Sequence, residues 1–183
     1  NSMNDPDKIP PMAAGMFNVY GGIYRDVNLV VKNKLFIPMQ GSAEHEGGTF
    51  ITTPGVTQKE SGIRIQTWVK NDYPQSKTCQ LISYIIDASG KTIQEIKTKA
   101  TISQGQLYRF DQIGKTVKNP VLWSPENPVV YQVYSQLTEG GKVTDALSSS
   151  FGIRWFRWDY KENYLYINGK KTILHGGNRQ QDY

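Results

Sequence analysis

Sixteen acidic residues, two histidines and one cysteine carry most of the reactive chemistry available to this 183-residue chain. Two carboxylates facing each other across a scissile bond could act as acid and base, or as acid and nucleophile. Such a pair needs one member in an apolar, pocket-like setting that raises its pKa. The acids here sit elsewhere. Asp72 and Asp87 fall in turn sequences, and Glu95, Glu139 and Asp145 fall in turns or on charged strand faces. His45 lies in Glu44-His45-Glu46-Gly47-Gly48. Adjacent residues rarely converge on one ion and the usual ligand spacings are absent, so this reads as a solvated loop tip rather than a metal site. No Ser-His-Asp set can be assembled, and no glycine-rich phosphate loop precedes a helix. Cys79 sits in an alternating apolar run and reads as a buried structural thiol. A single cysteine excludes an intramolecular disulfide but leaves the compartment open between a bacterial periplasm and cytoplasm. From the residues alone this is a structural or binding domain, with no catalytic residue, no metal and no cofactor expected.

The elements that must position these side chains read as strands. Ile63, Ile65, Thr67 and Val69 alternate with Arg64, Gln66, Trp68 and Lys70. Cys79, Leu81, Ser83 and Ile85 alternate with Gln80, Ile82, Tyr84 and Ile86, and Val129, Tyr131, Val133 and Leu137 share one parity. A period of two marks strands with one face on a core. No window offers a 3.6-residue apolar stripe of helical length. Turn sequences recur between the runs: Asn71-Asp72-Tyr73-Pro74, Asp87-Ala88-Ser89-Gly90, Gly140-Gly141 and Asn168-Gly169. The last predicts a hairpin joining Tyr164–Ile167 to Lys171–Leu174. Asn119–Pro128, with prolines at 120, 125 and 128, predicts a loop. Seven or so short strands without helical crossovers predict an all-β chain, an immunoglobulin-like β-sandwich of two antiparallel sheets in Greek-key order.

The net charge is +5, but the lysines and arginines are spread along the chain. Without a basic stripe or basic helix this reads as solubilising charge, and neither nucleic acid nor a membrane is expected as a partner. No apolar run approaches the length of a membrane span, and Asn1–Pro11 is too polar for a signal peptide. The polar ending at Tyr183 predicts a truncated chain rather than a natural terminus.

Four motifs change the reading. Gly21-Gly22-Ile23-Tyr24-Arg25-Asp26-Val27, preceded by Ile9-Pro10-Pro11, resembles the signature closing the sugar-binding jelly roll of family 2 glycoside hydrolases. Leu122-Trp123-Ser124-Pro125-Glu126-Asn127-Pro128 followed by Val129-Val130-Tyr131 resembles that family's middle-domain motif. Phe151-Gly152-Ile153-Arg154 resembles the end of the middle domain. Asn168-Gly169-Lys170-Lys171 through His175-Gly176-Gly177-Asn178-Arg179 is similar to the entry into the family's (β/α)₈ barrel.

The resemblance implies three segments. Residues 1–32 would be the tail of the sugar-binding jelly roll, 33–156 the immunoglobulin-like sandwich, and 157–183 the linker hairpin and start of the barrel. It implies a fragment of a β-galactosidase-like hydrolase of carbohydrate metabolism, inactive by itself, because the family's two catalytic glutamates would lie further along the barrel. Its partners would be the neighbouring domains of the parent enzyme. It also implies substrate-binding roles in the complete enzyme for Asp182, Asn178, Arg179 and Gln180. Asp182 would touch the substrate, and Asn178 and Arg179 would shape the barrel mouth. A parent specific for mannosides or glucuronides is the alternative within the family. Outside it stands a free carbohydrate- or protein-binding sandwich, which would show an exposed platform among Trp68, Trp155 and Trp158. Trp123 is expected to plug the end of the sandwich, and Arg154 to pair with an acid of a neighbouring domain.

Overall fold

The computed structural model describes residues 26–39 and 47–177. Among them there is no helix, and thirteen strands follow one another. They are β1 (Leu35–Phe36), β2 (Thr49–Thr52), β3 (Glu60–Ser61), β4 (Arg64–Asn71), β5 (Lys77–Ile86), β6 (Thr92–Ile102), β7 (Leu107–Ile113), β8 (Val117–Lys118), β9 (Tyr131–Glu139), β10 (Lys142–Phe151), β11 (Phe156–Asp159), β12 (Tyr164–Ile167) and β13 (Lys170–Thr172). Lys32–Ile173 form one compact unit. Residues 26–31 and 174–177 fall outside that unit and carry no strand.

Two antiparallel sheets make the sandwich. In one, β4 is central: β7 runs along one side, and β1 and β2 share the other, Leu35 opposite Asn71 and Ile51 opposite Ile65. The second has the order β10-β9-β5-β6, with Ser83 opposite Ser135 on β9 and Ile96 on β6. The chain passes from β4 into the second sheet, returns at β7, and crosses again at β9, as a Greek key requires. Strands β3 and β8 pair only with each other, and Val117 of β8 joins the core while Ser61 of β3 is fully buried. Three short strands, β11-β12-β13, form a separate small sheet.

The alternation expected from the sequence is the alternation found. Ile63, Ile65, Val69, Leu81, Ile85, Val133 and Leu137 are fully buried, as are Leu35 and Ile153 at the two ends of the sandwich. The core has two apolar clusters. One gathers Leu35, Ile37, Val69, Cys79, Leu81, Ile102, Phe110 and Leu137; the other gathers Ile63, Ile65, Ile85, Val117, Tyr131, Val133, Phe151 and Ile153. Buried polar residues lie between them along the strands. The Ser83 hydroxyl donates to Gln112 Oε1 at 2.6 Å, and Gln112 Nε2 donates to the Thr98 hydroxyl at 3.1 Å and the Leu81 carbonyl at 3.3 Å. The Thr49 and Thr67 hydroxyls meet at 3.1 Å. Among the described residues no buried side-chain nitrogen or oxygen lacks a partner, so the desolvation of this belt is offset. Cys79 is buried with its thiol pushed up to about 11 by desolvation and, secondarily, by Glu139, which makes it an inert core residue.

The turn residues act as their types require. Asp87 Oδ1 accepts from the Ser89 and Lys91 amides, and Gly90 takes φ 85° in the β5–β6 turn. Gly140 and Gly141 have φ 56° and 82°, and Asn168 and Gly169 have 50° and 82°. Both pairs lie in the left-handed region that two-residue hairpin turns demand. Asn119–Pro128 forms no strand; only an isolated bridge joins Ser124 to Asn127.

Candidate functional site

The side chains that connect separate elements converge where the sandwich ends and the hairpin sheet begins. Phe151 and Ile153 are core residues, so the chain leaves the sandwich with Gly152 between two anchored neighbours. Trp123 packs on that glycine. A Cβ at position 152 would stand 2.8 Å from both Cβ and Cγ of Trp123, so no side chain fits there. The Trp123 amide donates to the Ile153 carbonyl at 2.9 Å, and the Arg154 guanidinium lies 4.8 Å from the Trp123 ring centroid. Trp123 therefore closes this end of the sandwich, as its sequence context suggests. Arg154, expected to pair with an acid of a neighbouring domain, stacks on the Trp123 ring within the described residues.

Asn168 ties the hairpin back to this joint. Its amide donates to the Trp155 carbonyl at 3.0 Å, and its Oδ1 accepts from the Trp155 amide at 3.1 Å. Its Nδ2 donates to the Trp123 carbonyl at 2.9 Å. The left-handed turn aims this side chain away from its own strand, so one residue serves both turn and clamp. Gly169 packs against Trp155, where a Cβ would lie 3.3 Å from the indole. The sequence identifies Asn168 as a turn residue; its clamp role becomes visible only in three dimensions.

A groove of about 740 Å³ runs beside the joint, lined by Ile51, Trp123, Val130, Arg154, Trp155 and Phe156 among others. A second, of about 510 Å³, lies along β2 and β10 and includes Lys32, Met39, Phe50 and Leu147. Beside it Asp145 Oδ2 accepts both Lys32 Nζ and the Ile37 amide at 2.8 Å, fastening the entering strand to β10. Neither groove is lined by a carboxylate, so neither offers the paired acids that bond cleavage would need. Among the described residues no three His, Cys, Asp or Glu side chains gather as metal ligands.

The charged pairs elsewhere are surface features. Asp111 receives Arg64 Nε at 2.8 Å, which holds its carboxyl below the usual range. Asp159 is lowered by the Glu162 amide and by Arg157. His175 is exposed. Asn178, Arg179, Gln180 and Asp182, together with His45 and Arg25, lie outside the described residues. Of the three tryptophans named for a binding platform, Trp68 is only 9% exposed and takes no part in one, while Trp155 is half-buried and Trp158 is exposed. An aromatic pair that the sequence did not single out, Tyr84 and Tyr134, sits at opposed positions of β5 and β9, with centroids 6.4 Å apart.

Comparison with known proteins agrees with this geometry. The model of the family "Glycosyl hydrolases family 2" matches residues 48–154, from just before β2 to Arg154. A β-glucuronidase of Formosa agariphila is 31% identical over 159 residues, covering 86% of this chain and 16% of that protein. β-Galactosidase BoGH2A of Bacteroides ovatus is 27% identical over 157 residues, covering 85% and 17%. The solved structure of Bacteroides uniformis β-glucuronidase 2, covalently bound to cyclophellitol-6-carboxylate aziridine, superposes with a TM-score of 0.80 at 31% identity, covering 94% of this chain and 20% of that one. The chain thus spans a fifth or less of the length of these relatives. With the sandwich, the joint and the sequence match in agreement, this chain belongs to glycosyl hydrolase family 2.

Proposed function

We propose that this chain is the non-catalytic sandwich of a longer family 2 glycosidase, a spacer and buttress that holds a catalytic barrel against a sugar-binding domain. The observation that carries the reading is the joint. Trp123, Gly152, Arg154 and Asn168 fix a small sheet to the end of the sandwich, while the grooves beside them lack paired acids. That is an arrangement for transmitting position. On this reading residues 1–32 close the sugar-binding domain, 33–156 are the buttress, and 157–183 lead into the barrel. Asn178, Arg179, Gln180 and Asp182 contribute substrate contacts only in the complete protein. There, two glutamates at about 5 Å would act through a covalent glycosyl-enzyme intermediate.

The substrate class is a β-linked glycoside, with β-galactosides and β-glucuronides as the two readings. Identity of 31% to proteins named β-glucuronidase, against 27% to one named β-galactosidase, favours the second. The test compares the 183-residue chain with the full-length gene product on aryl β-glucuronide and aryl β-galactoside. Turnover is expected from the full-length protein alone. Hydrolysis by the 183-residue chain would refute the buttress reading, and a full-length protein inert toward both substrates would remove the glycosidase.

A further inference from the structure

The outer face of the β10-β9-β5-β6 sheet has an aromatic centre with polar groups around it. Leu81, Ser83 and Ile85 of β5 and Val133, Ser135 and Leu137 of β9 are buried in the core, so the side chains between them stand on the opposite face. The register sets Tyr84 beside Tyr134, with Glu95 of β6 on one flank and Ser148 of β10 on the other. The two ring centroids are 6.4 Å apart and the planes are inclined by only 28°. Ile82 and Ile86 stand one row to either side of Tyr84, and their β9 neighbours are Gln136 and Gln132. Gln132 and Ser148 are exposed; Tyr84, Tyr134 and Gln136 are partly so.

The polar groups of this centre are uncommitted. Among the described residues neither phenol hydroxyl and neither glutamine amide forms a hydrogen bond within the chain. Each amide supplies two donors and a carbonyl acceptor, and each phenol supplies one donor and an acceptor oxygen. Glu95 and Lys97 pair with each other at 2.6 Å, so the surroundings of the rings carry no net charge.

A pyranose ring carries C–H groups on its faces and hydroxyls around its edge. The C–H groups suit the negative face of an aromatic ring, and the hydroxyls suit amide and phenol partners. A protein partner asks for something else, about 800 Å² of surface around a well-exposed apolar centre. Neither tyrosine and neither isoleucine of this face is among the exposed large hydrophobic residues. The charge balance further selects an uncharged ligand, since an acidic chain would meet Lys97 already neutralised by Glu95.

We infer that this face binds a neutral oligosaccharide chain, stacked on Tyr84 and Tyr134 and held at its hydroxyls by Gln132 and Gln136. The inference adds a binding role to the sandwich and does not require the buttress reading.

Affinity electrophoresis tests it, with the 183-residue chain run through native gels containing β-glucan, xylan, galactomannan or polygalacturonate. At least one of the three neutral polymers should retard the chain. The double variant Tyr84→Ala with Tyr134→Ala should bind that polymer at least tenfold more weakly, whereas Tyr84→Phe with Tyr134→Phe should keep most of the retardation. Retardation by none of the neutral polymers, or by polygalacturonate alone, overturns the inference. So does undiminished binding by the double alanine variant. If that variant fails to fold, Gln132→Ala with Gln136→Ala decides: binding should weaken several-fold, and unchanged binding overturns the inference. Sedimentation identifies a rival occupant, because self-association that the tyrosine variant abolishes assigns the face to a second copy. In the full-length gene product the tyrosine variant should also weaken retardation; no effect there means that the face is covered by other parts of the polypeptide, which likewise overturns the inference. Hydrolysis of aryl β-glucuronide and aryl β-galactoside is read separately. An active protein without tyrosine-dependent retardation keeps the glycosidase reading and loses the sugar face; an inert one with it does the reverse.

Discussion

Replacing Asn168 separates what a turn needs from what a joint needs. Its side chain makes one hydrogen bond to the Trp123 carbonyl at 2.9 Å and accepts another from the Trp155 amide at 3.1 Å. Each is worth about 0.5–1.5 kcal/mol net, so deleting both costs the joint about 1–3 kcal/mol. Asn168→Gly does this without strain, because glycine adopts the observed φ of 50° freely. Asn168→Ala loses the same bonds and adds about 1–2 kcal/mol for the left-handed backbone. Asn168→Asp retains the acceptor for Trp155 and loses the donor to Trp123, which predicts roughly half the glycine effect. The assay is native-state hydrogen exchange of the β11–β13 amides, with β5 and β9 as internal reference. At about 1.4 kcal/mol per decade, Asn168→Gly should speed exchange in the small sheet by roughly 5- to 150-fold and leave the sandwich amides unchanged. Wild-type exchange in Asn168→Gly would refute the clamp. Equal acceleration of β5 and β9 would show instead that Asn168 supports the whole fold.

The remaining predictions concern the core, the end plug and the charged turns. Gln112→Leu leaves the Ser83 hydroxyl without its acceptor and should cost about 1–3 kcal/mol in urea unfolding, most of it recovered by adding Ser83→Ala; no recovery would mean that packing, not hydrogen bonding, sets the cost. Gly152→Ala drives a methyl into Trp123 and should lower stability by about 1–3 kcal/mol, whereas Gly176→Ala, with open space around it, should change nothing; equal melting curves would contradict the close approach. Asp87, lowered chiefly by the Ser89 hydroxyl, and Asp111 and Asp159 have folded pKa values below their ordinary ones. The unfolded chain then binds protons more readily, so this stability is present above about pH 4 and is lost as pH falls through the lower folded values. Tm should drop in that window, and the drop should shrink in Asp111→Asn; a Tm independent of pH there would contradict the assignment.

Local rules explain most of the fold that the sequence made legible. Alternation at Ile63–Val69, Cys79–Ile85 and Tyr131–Leu137 places the core, because a strand's side-chain period is fixed by covalent geometry. Asp87-Ala88-Ser89-Gly90, Gly140-Gly141 and Asn168-Gly169 mark the turns, because their backbone angles favour few residue types. The ordered motifs around Leu122–Pro128 and Phe151–Arg154 identify the family, since the family match spans both. Other features depended on which surfaces meet. Trp68 lies on the parity opposite the core and is buried nonetheless, and a period of two says nothing about what covers an outer face. Thr67, Ser83 and Ser135 each look like a weak position in an apolar run. Their place in a hydrogen-bonded layer depends on Thr49 and Gln112 arriving from other strands. Arg154 shows only its charge in the sequence; its stacking on Trp123 depends on where the Asn119–Pro128 loop sets that ring. Asn168 reads as half of an Asn-Gly turn; that its amide reaches Trp123, forty-five positions earlier, is decided by the tertiary fold, because chain separation carries no information about which carbonyl will lie 2.9 Å away.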